Sequence, residues 1–500
     1  MFLPTLEDEK AEVQVWKSQI AHVMLKLVSM PSEQSSLASM QPPVIELISP
    51  TKPNIHMLKL MDSSNNSAEG VGQVLQDILT QSGLTEDQFF NRLQPMDGDL
   101  GTVQNFNCLR SQRAPSAYAQ GSLSNISFQL GAAHTLWNVG TSLFSHNYGN
   151  SSDSTDCGAW KYLEALGFPA EKAIQKKDFT LMVNQMEKVF EASIYYFLRV
   201  IIKERNQKLE EKIDKKLDKM SNKKLEEPRP IIPSKEWESI VNECYTRFCS
   251  SKARNEAALL ASPKLHNTLV QLRDFSTVVE ARRSMQAGDV GRLLLVWKKW
   301  CLMTQALSGC TNYSSYLPRQ VLLLTQLPPD LAKFLRQNLL ITPTGQPNHF
   351  QPKDFWLEIQ NFWLKVFYNK TGNGTHIDRL KDMYSPNIML LQSMFQSLKA
   401  DSGSKIIYQS HKNTLSTRSL ELFILMAEKR DILGTNPAFG LPFCGRFNFA
   451  EFAELGSKFP LESPQVRLTS AHILLYLTRL IQRVNTEKPK EATSPFQNAY

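Results

Sequence analysis

The chain has 500 residues, 42% hydrophobic and 21% charged, which excludes wholesale disorder and calls for more than one packing unit. Its 56 Lys and Arg against 48 Asp and Glu leave a formal charge of +8, a mild excess that suits a polyanion only if gathered on one surface. Seven cysteines, none at CxxC spacing, argue against a zinc module and a disulfide framework, and point to reduced thiols.

The opening MFLPTLEDEK has no basic n-region and no apolar core. The most apolar short run, SIYYFLRVII (193–202), is broken by Arg199 and falls far short of the roughly 18–20 residues that span a bilayer. The expectation is an intracellular protein, nuclear or cytoplasmic, without a membrane segment.

In chain order, Glu7 to Val28 predicts a helix, with Val13, Trp16, Ile20, Val23 and Leu27 at three- and four-residue steps. PSEQSSLASMQPP then reads as a linker. IHMLKLM (55–61) predicts a short strand, and Ser67 to Thr80 a helix. FFNRLQPMDGDLGT (89–102) reads as extended chain running into a turn. VQNFNCLRSQR (103–113) reads as a helix, LSNISFQLGA (123–132) as a strand and HTLWNVGTSLF (134–144) as a helix. This alternation is the pattern of an α/β core. From Lys177 the chain is mostly helical. A basic arm (203–224) carries a Leu209, Ile213, Leu217, Met220 stripe, read either as a DNA-backbone contact or as an exposed helical arm. The proline cluster EEPRPIIPS ends the arm. Further helices are expected near 236–250, 253–280, 288–307, 317–326, 328–338, 352–369, 387–399, 415–430 and 466–484.

Three places attract chemical interest. In Met96-Asp97-Gly98-Asp99-Leu100-Gly101-Thr102, a carboxylate at a strand end precedes a helix, where α/β folds project functional groups into a crevice. Asp99 reads equally as the cap of that helix. His134 stands at the next strand-to-helix junction, as an acid, base or ligand or as a structural residue. In Lys353 to Lys365, the residues Asp354, Glu358, Asn361 and Lys365 share one helix face among aromatics. That stripe predicts either a buried functional Glu358 or an Asp354/Glu358/Lys365 salt-bridge ladder. GDVGR (288–292) and GCTNYSSYL (309–317) read as a cap and a turn joining helices.

These runs, GDLGT, GAAHTLWN, KKDF (176–179), GDVGR, GCTNYSSYL and DFWLEIQNFWLK, resemble over residues 55–450 a large fungal domain-of-unknown-function family abundant in mushroom genomes. A more distant likeness is to ribonuclease-H-like transposases of the Mutator-like and hAT-like kind. In these a strand-end Asp precedes a helix, a (Cys or Asp)-x-x-His motif follows, and a helical insertion leads to a Glu-x-x-Asn-x-x-x-Lys helix. The resemblance implies Asp99, His134 and Glu358 as catalytic residues, Asp99 and Glu358 as ligands of Mg²⁺ or Mn²⁺, and DNA as partner. Two-metal phosphodiester chemistry needs about three carboxylates. Here Gly131 stands where the motif has Cys or Asp, and only Asp62 offers itself as a further carboxylate, so activity is expected to be impaired or absent. Either the chain begins inside the core or the site has decayed.

The implied fold is α+β and predominantly helical, with a small mixed, ribonuclease-H-like and incomplete sheet and a large all-helical insertion. The expected divisions are 1–50 (helix and linker), 51–170 (α/β core part), 171–345 (insertion, with the Pro-rich break near 226–234), 346–485 (helical closing part) and 486–500 (frayed tail). The competing reading is a non-enzymatic helical interaction protein in which Asp99, His134 and Glu358 only cap and brace helices.

Overall fold

A computed structural model describes residues 2–153, 155–171, 178–205, 207, 209, 211, 229–260, 262–370, 376–403 and 415–434. The chain divides into the units Met1–Pro442 and Phe443–Tyr500. The second unit, with the expected helix 466–484 and the tail, lies outside the described residues, as do most of the basic arm and residues 226–228 of the proline cluster.

Helix α1 (Leu6–Leu27) starts at a capping box in which Thr5 and Asp8 each accept the other's backbone N–H, at 3.1 and 3.0 Å. Its apolar stripe buries Trp16, Ile20, Val23, Met24 and Leu27. The strand β1 (Met30–Pro31) follows, then α2 (Ala68–Ser82), capped by Ser67. Next come β2 (Gln94–Gly98), α3 (Leu100–Arg113), β3 (Ile126–Leu130) and α4 (Ala132–Tyr148). The apolar run at 193–202 falls on α5 (Phe179–Arg205), in which Ala192 to Leu198 are all buried. After β4 (Ile231–Ile232) come α6 (Ser234–Cys244), α7 (Lys264–Ala287), α8 (Val290–Met303) and α9 (Tyr313–Gln326). The hairpin β5 (Leu340–Ile341) and β6 (Gln351–Pro352) leads into α10 (Lys353–Lys370), then α11 (Ile388–Asp401) and α12 (Thr417–Lys429).

The molecule is predominantly helical. Helix α5 is apolar around its circumference because α1, α4, α6, α7 and α12 all pack on it. Its one buried cation, Arg199, lies against Tyr195, donating to the phenol oxygen at 2.9 Å. So this run is a core helix of the fold, and among the described residues no helix is long and apolar enough to cross a membrane.

The strands do not form one mixed sheet. Among the described residues they make three two-stranded pairs: β1 with β4 and β2 with β3, both parallel, and β5 with β6, antiparallel. The expected strand at 55–61 does not form. The backbone N–H groups of Lys59 and Leu60 are taken by the Gln81 and Ser385 side chains, at 2.7 and 2.8 Å, leaving no ladder for a neighbouring strand. The helix expected over 253–280 is broken between Ala258 and Lys264, where Pro263 supplies no N–H. Helix α9 begins at Tyr313, earlier than expected, and contains Pro318. The Ser314 carbonyl that Pro318 leaves unbonded instead accepts the Gln305 amide at 2.8 Å.

The turn between α7 and α8 is as the GDVGR run predicts. Gly288 sits at φ +74°, where a Cβ would stand 2.6 Å from the Phe350 ring. Asp289 accepts the N–H groups of Ile45, Glu46 and Arg292 at 3.0, 3.0 and 3.1 Å. Arg292, itself buried, bridges Asp289 (3.2 Å) to Glu280 (2.8 Å). Removing one member strands the others without water, so Asp289→Ala should lower stability by about 3–5 kcal/mol. A urea midpoint measured with unchanged m-value checks this.

Candidate functional site

The parallel pair β2–β3 sets the site. Its register pairs Gly98 with Leu130, and the Gly131 N–H donates to the Gly98 carbonyl at 2.8 Å, so both strands end side by side. Asp99 and Gly131 therefore leave the strand ends together and cap α3 and α4. Asp99 is exposed and accepts the Thr102 N–H at 2.8 Å and the Thr102 hydroxyl at 2.5 Å. That is an N-cap in full.

Helix α10 arrives at the same edge with its first turn. Asp354, only 4% exposed in its side chain, accepts the backbone N–H of Ala133 (3.2 Å) and His134 (2.9 Å). These are unpaired donors of the first turn of α4, so a carboxylate from a residue 220 positions away does the capping. The same Asp354 oxygen lies 2.9 Å from His134 Nδ1. Gly131 makes room for it, since a Cβ there would lie 2.3 Å from Asp354 Oδ2. Glu358, one turn further along α10 and half exposed, stands 3.9 Å from His134 Nε2. Trp137 packs edge-on to the imidazole at 4.9 Å and stacks on Phe179. The Tyr313 hydroxyl donates to the His134 carbonyl at 3.3 Å, and Asn138 bonds both groups.

Burial works to lower the His134 pKa, but the Asp354 hydrogen bond and the charges of Asp354, Glu358 and Asp99 outweigh it, and the net shift is upward. Burial also drives the neighbouring Asp97 carboxyl up to about 6, against the pull of Lys353 at 3.2 Å and with the charge of Asp354 adding to the rise. Asp97 Oδ1 is buried with no hydrogen-bond partner, so the ammonium satisfies only half of the carboxylate.

The structure thus brings Asp99, His134 and Glu358 to one edge. It does not bring Asp62 there, because that carboxylate pairs with Lys381. The α10 stripe is not a ladder to Lys365: Asp354 and Glu358 both turn to His134. Nor is α10 buried on most sides, with Leu357 49% and Phe362 60% exposed. Among the described residues no group of three or more His, Cys, Asp or Glu side chains could hold a metal ion, and Asp354 already spends both oxygens on α4 and His134. Tyr313, Lys353 and Asp97 stand in runs that the sequence singles out but are not read there as parts of the site. The one signal for Lys353 was its place at the first position of a helix, where a cation is electrostatically wrong unless a carboxylate waits beyond it.

A family model matches residues 1–411. The chain belongs to DUF6589, a family of unknown function. No curated protein and no solved structure matches it. The DUF6589 match contains the whole strand-end site, from Asp97 to Glu358.

The Asp97 shift has a sign that can be measured. A carboxyl raised above its unfolded value binds more protons in the fold, so its contribution to stability is full below about pH 4 and is lost as pH rises through about 6. Asp97→Asn should remove a loss on the order of 2–3 kcal/mol over that interval, read from urea unfolding as a function of pH.

Proposed function

We propose that this chain derives from a ribonuclease-H-like, transposase-type nuclease, that it still contacts DNA, and that its metal-dependent phosphodiester chemistry is impaired or lost. Asp99, His134 and Glu358 are then what remains of the reaction centre. The observation that carries the reading is the convergence of these three on the end of one parallel strand pair, from positions spread over most of the matched region. Their order along the chain is the order the resemblance implies. The impairment is read from the donor set: Asp99 and Asp354 are engaged in capping and hydrogen bonding, and among the described residues no group of three or more His, Cys, Asp or Glu gathers for a metal ion. The basic excess of +8 is mild and suits a DNA partner where it gathers on one surface.

A second reading, a non-enzymatic helical interaction protein, is favoured by the caps themselves, since Asp99 and Asp354 each complete a helix N-terminus. Fluorescence anisotropy on duplex DNA over a salt series, paired with nicking of supercoiled DNA in Mg²⁺ or Mn²⁺, separates the cases. The expected result is DNA binding that weakens steeply with salt, at a Kd of about 1–100 μM at physiological salt, with no metal-dependent nicking above that of the double variant Asp99→Asn, Glu358→Gln. Fast nicking that the double variant abolishes would overturn the impairment. A lack of binding even at low salt would overturn the nuclease ancestry and leave the interaction protein.

A further inference from the structure

The strand-end site has a chemical capacity that needs no metal ion. A buried carboxylate on one imidazole nitrogen, with the other nitrogen facing outward, is the arrangement that fixes a tautomer and readies a histidine to take or give a proton. Every part of it is present here. Asp354 is 4% exposed and held by two backbone N–H groups, so it cannot swing away from His134 Nδ1. The Tyr313 hydroxyl and the Asn138 amide fix the backbone carbonyl of His134, and the Trp137 edge limits rotation of the ring. The imidazole keeps 23% of its side chain exposed, and Nε2 is separated from Glu358 by 3.9 Å, beyond a direct hydrogen bond.

We propose that His134 is a proton-transfer group, held by Asp354 in the Nδ1-protonated form with Nε2 open beside Glu358 to a neutral or cationic ligand. The preference for a neutral or cationic ligand comes from the charges that face the ring. Asp354 and Glu358 face it from α10 and Asp99 from the cap of α3, while Lys353, in the same turn of α10 as Asp354, is paired with Asp97. An anion would meet a negative rim; water, a hydroxyl compound or an amine would not. When Nε2 takes a proton from such a ligand, the ligand's O–H or N–H bond breaks as the Nε2–H bond forms, the imidazolium is stabilised by Asp354, and the same proton can return to the ligand oxygen or nitrogen. This goes beyond the nuclease reading and requires neither DNA nor a metal ion.

The test uses the full chain carrying ¹⁵N-labelled histidine. At alkaline pH, where the ring is neutral, nitrogen chemical shifts of His134 should report Nδ1 as protonated and Nε2 as bare. A wild-type ring protonated on Nε2 overturns the proposal whatever any variant does. Site-resolved alkylation then probes Nε2 through two reagents that share a leaving group, bromoacetamide (neutral) and bromoacetate (anionic). In each case an Nε2–carbon bond forms and bromide leaves. Relative to the same pair on free imidazole, His134 should favour bromoacetamide several-fold, and a preference for bromoacetate would overturn the assigned ligand class. Asp354→Asn should move the proton toward Nε2 and slow bromoacetamide alkylation about tenfold or more. A folded Asp354→Asn chain with unchanged tautomer and rate would overturn the role of Asp354. The nicking and anisotropy results bear on none of these outcomes, so failure of either proposal is distinguishable from failure of the other.

Discussion

The contact on which the strand-end region depends is that of the Asp354 carboxylate with the first turn of α4. It joins parts of the chain 220 residues apart and does three things at once: it caps a helix, orients an imidazole and anchors the start of α10. The pair β2–β3 is only five residues long and two strands wide, too small to be stable alone. Its ends stay in place because α3 and α10 pack on it and because Lys353, adjacent to Asp354, ties the same helix to Asp97 on β2. Two neighbouring charges of opposite sign at the first turn of α10 thus clamp both strand ends.

Behind that edge lies a helical core centred on α5, and its polar content is concentrated where helices meet chain from elsewhere. Asp289 and Arg292 tie the residues 45–46 to the α7–α8 turn. Glu191 on α5 pairs with Lys26 of α1 and Lys188. Those ammonium groups more than offset the burial that would raise its pKa and hold the carboxyl below its usual value. Each network specifies which segment docks where, a role that apolar packing alone fills poorly.

Where periodicity and capping chemistry act locally, the sequence was readable. The apolar steps of α1, the extent of α2 and the Asp289 turn appear within a few residues of expectation, because each is decided by neighbours within one or two turns. Asp99 was legible as both a cap and a strand-end carboxylate, and it is both in position. The strand at 55–61 was misread because alternating apolar residues say nothing about who will take the backbone hydrogen bonds. Those partners, Gln81 and Ser385, lie outside any local window. Asp354 was seen on the correct helix face but matched to the wrong partners, since an i, i+4 pattern shows only neighbours on the same helix. The partner across space, His134, is announced by no spacing at all.

Gly131 shows how a missing side chain and a gained contact can be one fact. Residue 131 stands three places before His134, at the N-cap of α4. Here that place has no side chain, and a Cβ on it would overlap the Asp354 carboxylate at 2.3 Å. A side chain at 131 and a buried carboxylate from α10 are therefore mutually exclusive. Bracing from α10 commits both oxygens of Asp354 and leaves Glu358, one turn later, as the carboxylate that still faces solvent. The lack of a side chain at residue 131 thus lets Asp354 engage α4 and His134 while Glu358 stays toward solvent.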